Sequence, residues 1–124
     1  MNLGKSSRYA LLAAMEMAAS GDRPVAAADV ARRHGAPEAV VAKVLQRLVR
    51  AGLVVGTRGS SGGYRLARSP SSVTVLDVLA VFDDALGREP VPAAEPLDRL
   101  LGEVNAVVRG TFASVSLATL RGRA

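Results

Sequence analysis

The sequence predicts a small, mainly α-helical domain that carries one β-hairpin, and three observations predict it. Its 124 residues suit one compact unit and leave no room for a second large domain. Some 49% of them are apolar and 22% charged, enough to build a core, yet the only aromatics are Tyr9, Tyr64, Phe82 and Phe112. The core must therefore be made of Leu, Val, Ala and Met, which suits packed helices. Apolar positions recur at helical spacing along most of the chain, and the period changes to alternation only around one glycine-rich stretch.

The elements follow in order. Residues 6–20 start at a serine N-cap, Ser6 or Ser7, carry a stripe through Leu12, Met15 and Ala19, and stop before Gly21 and Asp22, with Pro24 beyond. Residues 27–34 form a short second helix that ends at Gly35, and Pro37 sits where the first turn of the next helix accepts it. That third helix, residues 37–51, puts Val41, Val44, Leu45 and Leu48 on one face and ends at Gly52. Two extended runs, 53–58 and 64–67, then flank Gly59-Ser-Ser-Gly-Gly63 and read as a hairpin. Thr74 and Asp77 make a capping box for a fourth helical stripe through Val75, Val78, Leu79, Phe82 and Leu86. Residues 87–96 hold three prolines and read as a linker. From 97 to 124, Leu97, Leu101, Val104, Val108, Val115 and Ala118 step by three or four with Thr111 in the missing place, and Leu100 and Val107 widen the seam. Gly110 is a point where this helix could bend. A face that broad, set off by a proline-rich linker, calls for a partner, and a second subunit is favoured over a fold back on its own domain.

Helix, tight turn, helix and basic hairpin is the order of a winged helix-turn-helix. The third helix divides as a major-groove reader must, with Ala39, Ala42, Lys43, Gln46 and Arg50 opposite its apolar stripe. Small residues allow close approach, Lys43 can donate to guanine, Gln46 can pair with adenine, and Arg50 lies late enough to reach phosphate. In the hairpin, Arg58 is the minor-groove candidate, Ser60 and Ser61 can donate to phosphate, and Arg65 alternates with Tyr64 and Leu66 so as to face the DNA backbone. A nucleotide-binding P-loop does not fit, because no Gly-Lys-Ser/Thr follows and the next residues alternate like a strand.

Charge supports this reading. Residues 1–68 carry eleven Lys or Arg against four Asp or Glu, whereas residues 69–124 carry five against seven, so the overall +5 is concentrated in the predicted reading half. The absence of cysteine excludes disulfides, thiolate metal sites, cysteine-ligated clusters and thiol catalysis. No catalytic set and no metal site is predicted. His34, the one histidine, reads as part of a helix C-terminus. The short apolar run after Lys5 and Arg8 is interrupted by Glu16, and no run approaches a bilayer span, so a cytoplasmic protein without membrane contact is expected.

Several stretches resemble the Rrf2 family of bacterial winged-helix regulators, which includes the iron-sulfur-cluster regulator and the nitric-oxide-sensing repressor. They are Ser7-Arg-Tyr-Ala10, the helix-turn-helix through His34-Gly-Ala36, Ala51-Gly-Leu-Val54, Arg58-Gly-Ser-Ser-Gly-Gly-Tyr-Arg-Leu66, Ser72-Val-Thr-Val-Leu-Asp-Val78 and Ser116-Leu-Ala-Thr-Leu120. The hairpin stretch is the specific one. The resemblance implies a homodimer whose long helices cross and whose wings straddle a pseudo-palindromic operator. It points to Pro37, Ala39, Val40, Lys43 and Arg58 as DNA-facing and to Arg8 near the DNA backbone. The sequence departs from the family where many members hold a cluster through three cysteines, here Gly87 to Pro96, which has none. Ala39, Val40 and Ala42 also replace polar residues common in the family's reading helix, which implies a different operator.

The expectation is a winged helix-turn-helix DNA-binding domain over 1–86, a linker over 87–96 and a dimerisation helix over 97–124, with Leu97, Leu100, Leu101, Val104, Val107, Val108 and Val115 on the dimer seam. The expected function is a homodimeric, cofactor-free repressor of double-stranded DNA, with control by a small-molecule or protein effector or by expression level. The competing reading is a winged-helix interaction module that acts through its terminal helix or a protein partner. Retention of Lys43, Arg50, Arg58 and Arg65 argues against it.

Overall fold

The computed structural model describes residues 3–59, 62–88 and 92–123, and within them the order is α1 (Lys5–Ser20), α2 (Ala27–His34), α3 (Glu38–Arg50), β1 (Val54–Thr57), β2 (Gly63–Leu66), a 3-10 turn (Pro70–Ser72), α4 (Val75–Leu79), α5 (Pro96–Ala113) and α6 (Leu117–Arg121). The strands pair antiparallel, with Val54 opposite Leu66 and Thr57 opposite Gly63. The architecture is a winged helix-turn-helix with a helical C-terminal extension.

Helix α1 lies at the centre of the domain, against α2, α3, α4, α6 and β2. Its buried face is Ala10, Ala13, Ala14, Met17 and Ala18, not the expected stripe: Leu12 and Met15 are half-buried and Ala19 is exposed. Apolar residues run almost all round this helix, so period alone could not choose a face. Packing chose the alanines, whose small side chains let α3 come close. The expected serine N-cap is also corrected: Gly4 is the N-cap, and Ser6 and Ser7 lie inside the helix, with Ser7 buried.

Helices α2 and α3 are joined as the sequence foretold. Gly35 takes a left-handed conformation (φ 62°) and returns its N–H to Ala31 O, a turn that a side chain would strain. Pro37 is the N-cap of α3 rather than part of its first turn, and its carbonyl accepts from Val40 and Val41. Val41, Val44, Leu45 and Leu48 are buried.

The hairpin has a support that the sequence did not announce. Val25, just before α2, exchanges two hydrogen bonds of 2.8 Å with Tyr64, so β2 is paired on both edges. This pairing brings the backbone of Val25 so close that a Cβ on Gly63 would lie 2.6 Å from Val25 O.

The capping box forms, with Asp77 N donating to Thr74 Oγ1 (3.0 Å) and Thr74 N to Asp77 Oδ2 (2.9 Å). Helix α4 is shorter than its stripe suggested. It ends at Leu79, and the chain continues in turns to Leu86, where the Asp83 carboxylate accepts from Ala85 N and Leu86 N at 3.0 and 3.2 Å. Leu86 is still buried, beside Val75, Leu79 and Val115 in a second core cluster flanked by Val108 and Phe112.

The C-terminal segment is two helices, not the single helix expected over 97–124. Helix α5 runs through Gly110 without interruption and ends at Ala113. The chain then pairs with the segment before α4, Val75 N donating to Val115 O and Leu117 N to Val73 O, both at 2.8 Å. Ser116 caps α6 by accepting from Thr119 N at 3.0 Å, and Leu117 is fully buried in the main core. Val115 is therefore used inside its own domain, not on the expected seam, and Val108 is half-buried beside it. Among the described residues, no helix is long and apolar enough to cross a membrane.

Gly63→Ala is expected to lower unfolding stability by about 1–3 kcal/mol through overpacking against Val25. A urea titration measures this, and an unchanged midpoint would mean that the Val25–Tyr64 pairing yields without cost.

Candidate nucleic-acid interface

Helix α3 is held along one side and bare along the other. Val41, Val44, Leu45 and Leu48 anchor it, and at the opposite phase Ala39, Lys43, Gln46 and Arg50 are all exposed, as the sequence predicted. An apolar anchor with a polar outer row lets a helix enter a groove without giving up its packing. Ala42, between the two faces, is half-buried.

The hairpin flanks this helix. Gln46, Val49 and Arg50 share a shallow cleft with Gly56 and Tyr64, so the late part of the reading row is continuous with the wing. A second cleft, of about 420 Å³, lies where the wing meets the starts of α2 and α3, and it is lined by Ala26, Glu38, Thr57, Arg58 and Gly63 among others. Arg58 therefore stands at the wing beside the N-terminal end of α3. Ser60 and Ser61 lie outside the described residues.

The remaining expected residues lie around this surface or apart from it. Arg65 is half-buried and lines a separate cleft with Met17, Gly21, Asp22 and Arg68, on a different side of β2 from the cleft shared by Tyr64 and α3. Pro37 and Val40 are exposed at the start of α3, Val40 at 36%. Arg8 is exposed near the start of α1, on a different element from the reading row.

The electrostatics of this surface follow from which cations are occupied. Arg32 pairs with Asp29 at 2.8 Å, Arg33 with Glu16 at 3.3 Å and Arg68 with Asp77 at 3.8 Å. Among the described residues no ion pair involves Lys43, Arg50 or Arg58. These cations contribute little to holding the fold and are free to neutralise a polyanion. His34 Nε2 lies 3.1 Å from Glu16 Oε1, tying the end of α2 to α1. Among the described residues no group of three His, Cys, Asp or Glu could hold a metal.

Two residues at this surface were missed from the sequence. Glu38 lines the cleft that Arg58 also lines, and an acidic residue in a first helical turn reads only as a favourable dipole contact. Arg47 lies on α3 yet reaches sideways, donating to Val81 O at 2.7 Å and stacking 4.4 Å from the centroid of Phe82. Its partners are 34 positions away, and no local pattern announces them.

A family model described as Rrf2, iron-dependent transcriptional regulator, matches residues 3–122. BadM of Rhodopseudomonas palustris, named as an HTH-type transcriptional regulator, is 39% identical over 97% of this chain and 81% of its own. The HTH-type transcriptional regulator IscR of Photobacterium profundum is 37% identical over 69% of this chain and 51% of its own, so the chain spans about half the length of that relative. Among solved structures, CymR of B. subtilis, described as its global cysteine regulator, superposes with a TM-score of 0.83 at 26% identity, covering 98% of this chain and 96% of that one. IscR of T. potens gives 0.82 at 26% identity, covering 97% and 85%.

On a DNA fragment bound by the unaltered protein, Arg58→Ala is expected to cost about 1–3 kcal/mol of affinity by loss of a groove contact. Arg50→Ala is expected to weaken all duplexes alike and to flatten the salt slope by about one unit. Binding titrations over a salt series read both. Undiminished affinity for the first, or a loss confined to one sequence for the second, would reassign that residue.

Proposed function

The chain belongs to the Rrf2 family of transcriptional regulators, and we propose that it acts in the cytoplasm as a homodimeric repressor that binds a pseudo-palindromic operator without an iron-sulfur cluster. As a member of that family it is a regulator and not an enzyme.

The observation that carries the dimer is the bare face of α5. None of its 18 residues is buried, and Leu97, Leu100, Leu101, Val104 and Val107 are 52–69% exposed. Burying such side chains is worth about 1.5–3 kcal/mol each, so five on one helix supply a strong drive to association. The neighbouring face, through Asn105, Val108, Arg109 and Phe112, is already taken by the chain's own second cluster and the turns before it. That division leaves the outer stripe for a second copy. Two copies then present two α3 rows and two wings, and half-site spacing follows from the dimer geometry.

In a repressor of this kind, Lys43 and Gln46 read base edges, small Ala39 permits close approach, Arg50 contacts phosphate, and Arg58 inserts at the wing. Occlusion of a promoter is the simplest consequence of such binding. The family model's description names iron, but the residues present do not fit a cysteine-ligated cluster. The sequence has no cysteine, and its one histidine is engaged with Glu16 at the end of α2. Without a cluster, control falls to a small molecule, a partner protein or the abundance of the protein itself.

The test is binding to genomic fragments, including the protein's own promoter, over a salt series with excess competitor DNA. Saturable binding to one fragment that survives competitor is the expected result. Weak binding that salt erases everywhere would favour action through a protein partner instead. Sedimentation at micromolar concentration is expected to give a dimer, and Leu101→Asp a monomer with much weaker operator binding. A monomeric unaltered protein would overturn the dimer.

A further inference from the structure

Three backbone carbonyls within six residues, Val81 O, Ala85 O and Leu86 O, each accept a hydrogen bond from a long side chain of one of two helices. Arg47 of α3 takes the first at 2.7 Å, Asn105 of α5 the second at 3.1 Å, and Arg109 of α5 the third. The segment is stiffened from within, because the Asp83 carboxylate accepts from Ala85 N and Leu86 N, and Leu86 is buried. The Arg47 guanidinium carbon also lies 4.4 Å from the centroid of Phe82, a cation–π contact that gives the group a second point of attachment. From these contacts we infer that Arg47 is a positioning residue for DNA recognition. It braces α3 against segment 81–86 and, through that segment, against α5.

The physical need is directional. An apolar face holds a helix against its neighbours but resists small rotation and sliding only weakly, whereas reading base edges demands side chains placed to within about 0.5 Å. Arg47 lies three residues before Arg50 and one after Gln46, in the part of α3 that carries the reading row. Its charge is committed sideways to a carbonyl and a ring, while no ion pair involves Arg50 among the described residues. One arginine orients the helix and the other touches the ligand. Because α5 carries the proposed dimer face, the brace also sets the angle of each reading helix relative to the dimer. This inference rests on the dimeric regulator reading given above.

The experiment uses the full chain with Arg47→Gln, Arg47→Lys and Phe82→Leu, each checked for an intact thermal transition and dimer. The probes are a genomic fragment bound by the unaltered protein and synthetic duplexes in which its two half-sites are moved apart or together by one base pair. All three variants are expected to lose roughly threefold to thirtyfold in operator affinity. They keep the salt slope, because Arg47 does not neutralise phosphate, and they show a smaller penalty for shifted half-sites, because a loosened reading helix tolerates misplacement. Simple destabilisation would not change that spacing penalty. Arg47→Gln with Phe82→Leu together are expected to be no worse than the poorer single change.

Unchanged affinity and spacing penalty in the variants would overturn the brace. So would a salt slope flattened by about one unit in Arg47→Gln, which would make Arg47 a phosphate ligand, or an Arg47→Lys protein that behaves as the unaltered one. If the unaltered protein shows no spacing preference, the dimeric regulator reading falls and the brace falls with it. If it shows one and the variants keep it, only the brace falls.

Discussion

Close approach between α1 and α3 is the constraint on which the rest of the molecule depends. With so few aromatics, this chain cannot fill space with large rings, and it closes its core by bringing backbones together. Small Ala10, Ala13, Ala14 and Ala18, with Met17, make up the buried face of α1, and α3 is among the elements packed on this helix. With α1 at the centre, α3 is anchored along one full side, β2 and α6 find support, and the reading row of α3 is turned outward.

Much of this was legible in the sequence, for reasons that are local. The α2–α3 turn, the Thr74–Asp77 box, the hairpin and the two faces of α3 are each specified by residues a few positions apart. The parts that were not legible are those decided by contacts between distant segments. The buried face of α1 could not be chosen because apolar residues surround the helix. The split between α5 and α6 depends on Val115 and Leu117 pairing with Val75 and Val73, some forty residues back. The support of the wing by Val25 and the sideways reach of Arg47 are of the same kind. At the candidate site, the exposure of Ala39, Lys43, Gln46 and Arg50 was legible because opposition to an apolar stripe is a property of one helix, while Arg65 was placed by alternation alone and lines a different cleft.

The distribution of charge carries its own lesson. In the first half of the chain, the arginines at the end of α2 are matched by nearby carboxylates, Arg47 is bound to a carbonyl and a ring, and Lys43, Arg50 and Arg58 are in no ion pair among the described residues. Lys5, Arg8, Arg23 and Arg65 are likewise in no ion pair among the described residues, so it is position that sets the other three apart. Here Lys43 and Arg50 share one row of α3, and Arg58 stands at the wing beside the start of that helix.

Helix α5 is fastened to its own domain mainly through its C-terminal half, by Val108, Phe112 and the return at Val115, while its first turns project freely. Among the described residues before the helix, Pro92 and Ala93 share a cleft with Asp98, Arg99, Gly102, Glu103 and Ala106, so the chain entering α5 lies along the helix itself. A helix fastened at one end acts as a lever, so a small tilt at Val108 and Phe112 carries Leu97 and Leu100 through a larger arc, and changes in the second core cluster are felt most at the exposed stripe.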